Sequence, residues 1–247
     1  MDHTAARVTV SIVSHGHDAQ LPGLLDELAS GAQGCIAQVI VTHNLPPEGG
    51  LAASARPWRL VERISPQPAG FAVNHNRAFD GCDTPFFAVL NPDVRGFSAD
   101  FWPRLLEAAQ HTGVGCVYPR LLNADGSVQD NVRDCVTPWS LLRRYLLHSA
   151  ETRAEWVSAA CWLVPSAVWR ELGGLDPRYR MYCEDTDWCL RLRLSGYALE
   201  PAVATAVHAA ARSSRLPGRA MAWHLASLLR LWTRPHWWQF VTMRRTP

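Results

Sequence analysis

Residues 172–197 read LGGLDPRYRMYCEDTDWCLRLRLSGY. Glu184, Asp185 and Asp187 fall within four residues, just after an aromatic-rich turn. Trp188, Leu190, Leu192 and Leu194 then supply the apolar surface of a helix, and Gly196 sits just past its end, where a left-handed residue closes the last turn. Carboxylates in a first helical turn suit the positive end of the helix dipole, so the cluster by itself reads as a charged helix start.

Outward from this stretch, composition sets the class. A chain of 247 residues, nearly half of them apolar, buries a core as one α/β domain or a domain with an appendage. All 24 basic residues are arginine. The formal net charge of +2 hides an asymmetry: after Glu200 there is no Asp or Glu, but there are seven arginines and four tryptophans. Such an end points to an anionic surface or ligand. No nucleic-acid partner is expected. The seven scattered cysteines form no CxxC pair and read as reduced, buried thiols of a cytoplasmic protein. No signal peptide is visible, and no apolar run approaches the ~18 residues that span a bilayer.

Strand patterns occupy residues 8–13 (VTVSIV), 36–42 (IAQVIVT), 58–64, 85–90 (PFFAVL), 114–118, 155–164 (EWVSAACWLV) and 202–207. Helical patterns lie between them, at 20–28 capped by Asp18, 70–79, 100–111 capped by Ser98, 139–148, and from 165 or 166 to Gly173-Gly174. The alternation predicts a doubly wound, mostly parallel sheet, whose ligands bind at the carboxyl ends of strands. Neither GxGxxG nor GxxxxGK[ST] occurs, so neither a dinucleotide-binding unit nor a P-loop is supported. Asn91-Pro92-Asp93 follows the apolar strand 85–90 directly, which puts a carboxylate on rigid scaffold at the ligand edge. In the tail, Met221, Leu225, Leu228 and Trp232 mark one face of an amphipathic helix, and residues 237–245 add Trp and Arg suited to an anionic membrane surface.

Four of these blocks, in this order, resemble family 2 glycosyltransferases, in particular their rhamnosyltransferase-like branch. They are Gly70-Phe71-Ala72 with Asn76 and Arg77, then Asn91-Pro92-Asp93, then Gly173-Gly174-Leu175-Asp176 with Tyr182-x-Glu184-Asp185-x-Asp187, and finally His208 followed by Ser213-Ser214. The resemblance implies a GT-A-type mixed, mostly parallel sheet flanked by helices, over residues 1–214, with a basic, Trp-rich helical tail over 215–247. It implies inverting transfer of a sugar, such as the deoxyhexose rhamnose, from a nucleoside-diphosphate donor to a hydroxyl of a glycan or lipid-linked acceptor in cell-surface polysaccharide synthesis. Asp185 is then the catalytic base, with Glu184 orienting it. Asp93 is the ligand of a divalent ion, Mg2+ or Mn2+, with His208 as a further ligand. Ser14, His43, Asn44, Gly70, Asn76, Arg77, Asn91 and Asp93 fall on the donor side; Trp162, Tyr182 and Asp187 fall on the acceptor side. Arg178, Arg180 and Arg191 are expected to keep Asp185 ionised. The implied location is cytoplasmic, peripheral on the inner face of the membrane.

One departure matters. Where the family's second strand usually ends Val-Asp-Asn, this chain has Thr42-His43-Asn44, and the Tyr-Asn after strand one becomes His15-Gly16. A weakened donor site, and with it a degenerate, non-catalytic binding protein, is therefore the alternative reading. A third, a sugar-1-phosphate nucleotidyltransferase, lacks its Gly-rich, Arg-containing loop near the first strand.

Overall fold

The structure, a computed structural model, describes residues 7–32, 34–47, 49–51, 55–146, 153–209 and 218–244. The strands are β1 (Val8–Ser14), β2 (Ile36–His43), β3 (Arg59–Ile64), β4 (Phe86–Leu90), β5 (Val94–Arg95), β6 (Val114–Leu122), β7 (Val132–Arg133), β8 (Trp156–Val157), β9 (Cys161–Pro165) and β10 (Ala198–His208). The helices are α1 (Leu21–Gly31), α2 (Phe71–Phe79), α3 (Phe101–Ala108), α4 (Pro138–Leu146), α5 (Ser166–Glu171), α6 (Glu184–Leu194), α7 (Arg219–Trp232) and α8 (Pro235–Met243).

Eight strands form one sheet in the order β3-β2-β1-β4-β9-β6-β10-β5. The first four pair in parallel, as do β6 and β10, while β9 runs antiparallel to both its neighbours and β5 antiparallel to β10. The expected mixed, mostly parallel sheet is thus present. β1, β2 and β4 are buried along nearly their whole length, which is why they read as continuous apolar runs. A second, two-stranded sheet pairs β7 with β8.

The strand expected over 155–164 is broken. Ser158 turns away to donate its backbone N–H to the carbonyl of Asn131, so β8 joins β7 and only β9 enters the main sheet. The expected caps are absent too: neither α1 nor α3 has a side-chain cap, and Asp18 opens a short 3-10 turn instead. Gly173, Gly174 and Gly196 all take positive φ, as their helix-ending positions require. The expected helix over 139–148 is α4, and its last residues, 147–148, lie outside the described ones.

The core divides around the sheet. One face packs α1 and α3, and the other packs α2, α5 and α6 around a run of buried aromatics: Trp162 and Trp169 each lie within 6 Å of Trp188, at 5.0 and 5.7 Å between ring centroids. Each such pair contributes about 0.5–1.5 kcal/mol beyond its buried area. A third cluster joins Tyr179, Cys183 and Leu190 to Leu228, Leu231, Trp237 and Phe240. The tail helices therefore fold back on α6. Of the apolar face expected from Met221, Leu225, Leu228 and Trp232, Leu228 is buried and Trp232 packs against the same cluster, whereas Leu225 is 55 % exposed and Ser227 and Leu231 face inward instead. Trp237, expected at a membrane, is buried and donates its indole N–H to the carbonyl of Val136.

Candidate active site

The carboxyl ends of β1, β2 and β4 and the end of β10 converge on a cavity of about 490 Å³. Its lining includes His15, His17, Asn44, Phe71, Asn74, Asn91, Asp93, Arg180, Tyr182, His208 and Trp223. Asp93 stands just past β4, and His208 ends β10, whose antiparallel pairing with β5 sets His208 against Val94. That register brings His208 Nε2 to 3.3 Å from Asp93 Oδ1. Burial pushes the Asp93 carboxyl up, but the hydrogen bond and charge of His208 outweigh it, and the carboxyl is held below its usual value.

The tautomer of His208 is fixed by a residue that the sequence did not single out. Gln129 donates its Nε2 to the carbonyl of His208 at 3.1 Å and to Asn123 Oδ1 at 3.1 Å. A backbone carbonyl only accepts, so the Gln129 nitrogen must face it, and its oxygen faces His208 Nδ1 at 2.7 Å. Nδ1 therefore carries a proton and donates. Nε2 is left with its lone pair toward Asn91 Nδ2 at 3.4 Å and the Asp93 carboxylate at 3.3 Å, an arrangement in which Nε2 and Oδ1 can together hold a metal ion. A carboxylate oxygen and an imidazole nitrogen suit Mn2+ or Mg2+, with the oxygen-rich remainder of the shell left to a ligand. Among the described residues no third His, Cys, Asp or Glu joins them.

Asn44 organises the donor side. Its Oδ1 accepts from the backbone N–H of Ala69 at 2.8 Å and from Asn74 Nδ2 at 2.9 Å, and its Nδ2 donates to the carbonyl of Ala69 at 3.0 Å. The same Nδ2 meets His15 Nδ1 at 2.9 Å, which leaves the proton of a neutral His15 on Nε2. Ser14 is buried and spends its hydroxyl on Asp18 and on the N–H of His17. Buried His43 lies between two carboxylates, Asp18 at 3.4 Å and Glu62 at 3.2 Å. Gly70 opens α2 where no side chain fits: a Cβ there would stand 2.6 Å from the carbonyl oxygen of Arg180.

Three expected site residues prove to be structural in their contacts. Both amide atoms of Asn76 are spent on the backbone of Leu175, at 2.7 and 3.0 Å, tying α2 to the Gly-Gly turn rather than facing a nucleotide. Trp162 is fully buried against Trp188, not on an acceptor face. Asp187 is fully buried and bound by Tyr179 Oη, Arg191 Nε and His236 Nε2 at 3.1, 2.9 and 2.8 Å, which fastens α8 to α6. Arg77 is exposed on α2 and is not among the residues lining the cavity.

Glu184 and Asp185 begin α6, behind two consecutive non-glycine residues in the left-handed region, Tyr182 at φ 72° and Cys183 at φ 63°. Strain of this kind costs about 1–3 kcal/mol per residue and persists where the surroundings impose it. Here α7 imposes it: the Tyr182 ring lies 4.9 Å from that of His224, and Ser227 donates to the carbonyl of Met181. Burial, then the charge of Asp185, push the Glu184 carboxyl well above its usual value, and its Oε2 has no hydrogen-bond partner. Burial also raises Asp185, opposed by the N–H groups of Thr186 and Ala159 and by Arg133. The arginines expected to hold Asp185 ionised do other work. Arg178 pairs with Asp176, Arg191 with Asp187, and Arg180 stacks on Trp223. Both carboxyls are thus raised, Glu184 the more strongly.

This fold is that of the GT-A glycosyltransferases. It matches a mannosyltransferase from Pyrobaculum calidifontis in complex with GDP-Man and Mn2+ at TM-score 0.67, with 15 % identity over 92 % of this chain and 64 % of that one. It matches glucosyl-3-phosphoglycerate synthase from Mycobacterium tuberculosis, in complex with Mn2+, UDP-glucose and phosphoglyceric acid, at 0.60, with 16 % identity over 91 % and 79 %. Two sequence relatives are named as rhamnosyltransferases. Rhamnosyltransferase WbbL of Escherichia coli is 27 % identical, covering 92 % of this chain and 93 % of the relative. N-acetylglucosaminyl-diphospho-decaprenol L-rhamnosyltransferase of Mycobacterium tuberculosis is 28 % identical over 61 % of this chain, which spans 56 % of that relative. No family model matches the chain.

Proposed function

We propose that this chain is an inverting, metal-dependent glycosyltransferase that moves a deoxyhexose such as rhamnose from a nucleoside-diphosphate donor to a hydroxyl of a glycan or lipid-linked acceptor in cell-surface polysaccharide synthesis. The observation that carries it is the meeting of Asp93 and His208 at 3.3 Å, on a lone-pair geometry that Gln129 enforces, in the cavity at the strand ends. When bound, a divalent ion at these two residues would neutralise charge on a leaving diphosphate. Asn44, His15 and the α2 start frame the donor, and Tyr182 borders the acceptor. Asp185 takes the acceptor proton while protonated Glu184 keeps the pair from carrying two charges.

The alternative of a degenerate binding protein rests on His43, which is buried between the carboxylates of Asp18 and Glu62. Free cysteines suit a cytoplasmic location. Among the described residues no helix is long and apolar enough to cross a membrane. The outer face of α7, with Leu225 55 % and Leu229 63 % exposed, and Trp238 of α8 at 59 %, is read as resting on an anionic membrane surface, flanked by Arg219 and Arg230. Calorimetry of UDP, dTDP and GDP sugars with and without Mn2+ tests the reading. One of them should bind in a Mn2+-dependent way, and Asp93→Ala should abolish that dependence. Binding indifferent to Mn2+ and to Asp93→Ala would contradict it.

A further inference from the structure

One oxygen closes the stretch of chain that carries Asp185. Asp187 Oδ1 accepts from Tyr179 Oη at 3.1 Å and from His236 Nε2 at 2.8 Å. Tyr179 stands at the start of the segment leading into α6, and Asp187 lies in the first turn of that helix, two residues past Asp185. Between them Tyr182 and Cys183 hold positive φ, a conformation that relaxes unless its surroundings impose it. The same segment abuts the donor side, where Phe71 donates its backbone N–H to the carbonyl of Arg180 at 3.3 Å. A shift of residues 179–183 therefore moves Asp185 relative to the start of α2 and the cavity beside it.

His236 reaches this oxygen from α8, which adds no residue to the cavity lining. Its neighbours aim the ring. Arg234 Nη2 lies 3.6 Å from Asp176 Oδ2, and Trp237 donates to the carbonyl of Val136 at 3.1 Å. At the far end of the helix, Arg244 Nη1 meets the buried Glu155 carboxylate at 2.8 Å. Burial pushes the Asp187 carboxyl up, but the hydrogen bond of His236 and the charge of Arg191 outweigh it, and the carboxyl is held below its usual value. A carboxylate only accepts, so His236 Nε2 carries a proton and donates.

We propose that His236 is a positioning residue for the transfer: through Asp187 it fixes where Asp185 stands against the donor, while nucleotide and metal binding proceed without it. The proposal rests on the glycosyltransferase reading and makes α8 part of the machinery of the reaction. Its physical basis is that a small displacement of a reacting group lowers the rate steeply and leaves binding of the other partner nearly untouched.

Two amides divide the ring for a test on the full chain. In His236→Gln the amide nitrogen falls near the place of Nε2 and still reaches Asp187; in His236→Asn it falls near Nδ1 and does not. Trp237→Phe is the control: it removes the neighbouring bond of α8 to Val136, whose carbonyl keeps a second donor in Trp232 Nε1 at 3.0 Å. Single-turnover transfer, Mn2+-dependent affinity for UDP or dTDP, and hydrogen exchange over residues 179–187 are measured well below the melting temperature of each variant. His236→Asn should lose about 10–100-fold in rate, keep nucleotide affinity within about twofold, and exchange faster over 179–187. His236→Gln and Trp237→Phe should stay close to wild type in rate and in that exchange. Wild-type rate and exchange in His236→Asn overturn the proposal. So does an equal loss in His236→Gln, which removes the hydrogen bond as the device, or in Trp237→Phe, which makes the effect one of α8 stability alone. A fall in nucleotide affinity as large as the fall in rate also overturns it. No transfer by wild type from any UDP, dTDP or GDP sugar would instead sink the glycosyltransferase reading, and exchange over 179–187 would still decide whether His236 holds the segment.

Discussion

Gln129 grips His208 at two points, its amide nitrogen 3.1 Å from the His208 carbonyl oxygen and its amide oxygen 2.7 Å from Nδ1 of the same ring. The double contact fixes both the amide orientation and the imidazole tautomer. Replacing Gln129 by Leu removes the acceptor for Nδ1–H and frees the ring to turn. Mn2+ affinity in the presence of UDP or dTDP, read by electron paramagnetic resonance, should fall by about 10–100-fold. Gln129→Glu keeps an acceptor for Nδ1–H but sets a carboxylate oxygen against the His208 carbonyl, so its Mn2+ affinity should fall between those of Gln129→Leu and wild type. Equal Mn2+ affinity in Gln129→Leu and wild type would remove this residue from the account.

The buried Glu184 carboxyl makes a stability prediction with a definite sign. Its folded-state value is raised by burial and by Asp185, so the folded chain holds a proton that the unfolded chain has released. Stability therefore falls as pH rises from the unfolded value of about 4.3 toward the raised folded one. Gln does not titrate and keeps the shape. Glu184→Gln should melt higher than wild type near neutral pH, and the gap should narrow on going down to pH 5. A gap that is constant with pH would show that Glu184 is not held protonated.

Vesicle sedimentation checks the outer face of α7. Leu225→Glu with Leu229→Glu should lower binding to anionic vesicles, and high salt should lower binding of wild type. These substitutions fall on exposed positions and leave the inward residues Leu228 and Leu231 in place. Equal sedimentation of variant and wild type, or none by wild type, would contradict a lipid role.

The fold was readable where one residue type served one purpose. Gly196 and the Gly173-Gly174 pair closed helices because positive φ favours glycine, and VTVSIV read as a strand because β1 is buried along its length. Asp93 and His208 were both legible as strand-exit residues, and the sheet brings them together. Gln129 was not legible, because its partner is a residue of β10 and the pairing depends on tertiary placement alone. The tail misled for a different reason. Apolar residues surround α7, so spacing did not say which of Leu225, Leu228 and Leu231 face inward. Trp237 read as interfacial until its N–H found the Val136 carbonyl. Asn76 and Asp187 sit within recognisable motifs, yet their polar atoms are used up in fastening neighbouring segments.

The central claim is that Asp185 takes the acceptor proton in a single displacement. Burial raises its carboxyl, so the rate should rise with pH along a limb above the ordinary Asp value of about 3.9. Single-turnover sugar transfer by Asp185→Asn is the direct measurement. Asn keeps shape and hydrogen-bonding reach but cannot hold the proton, so the rate should drop by about 10²–10⁴-fold with donor affinity nearly unchanged. Transfer at close to the wild-type rate, or a product that keeps the donor's anomeric configuration, would contradict it.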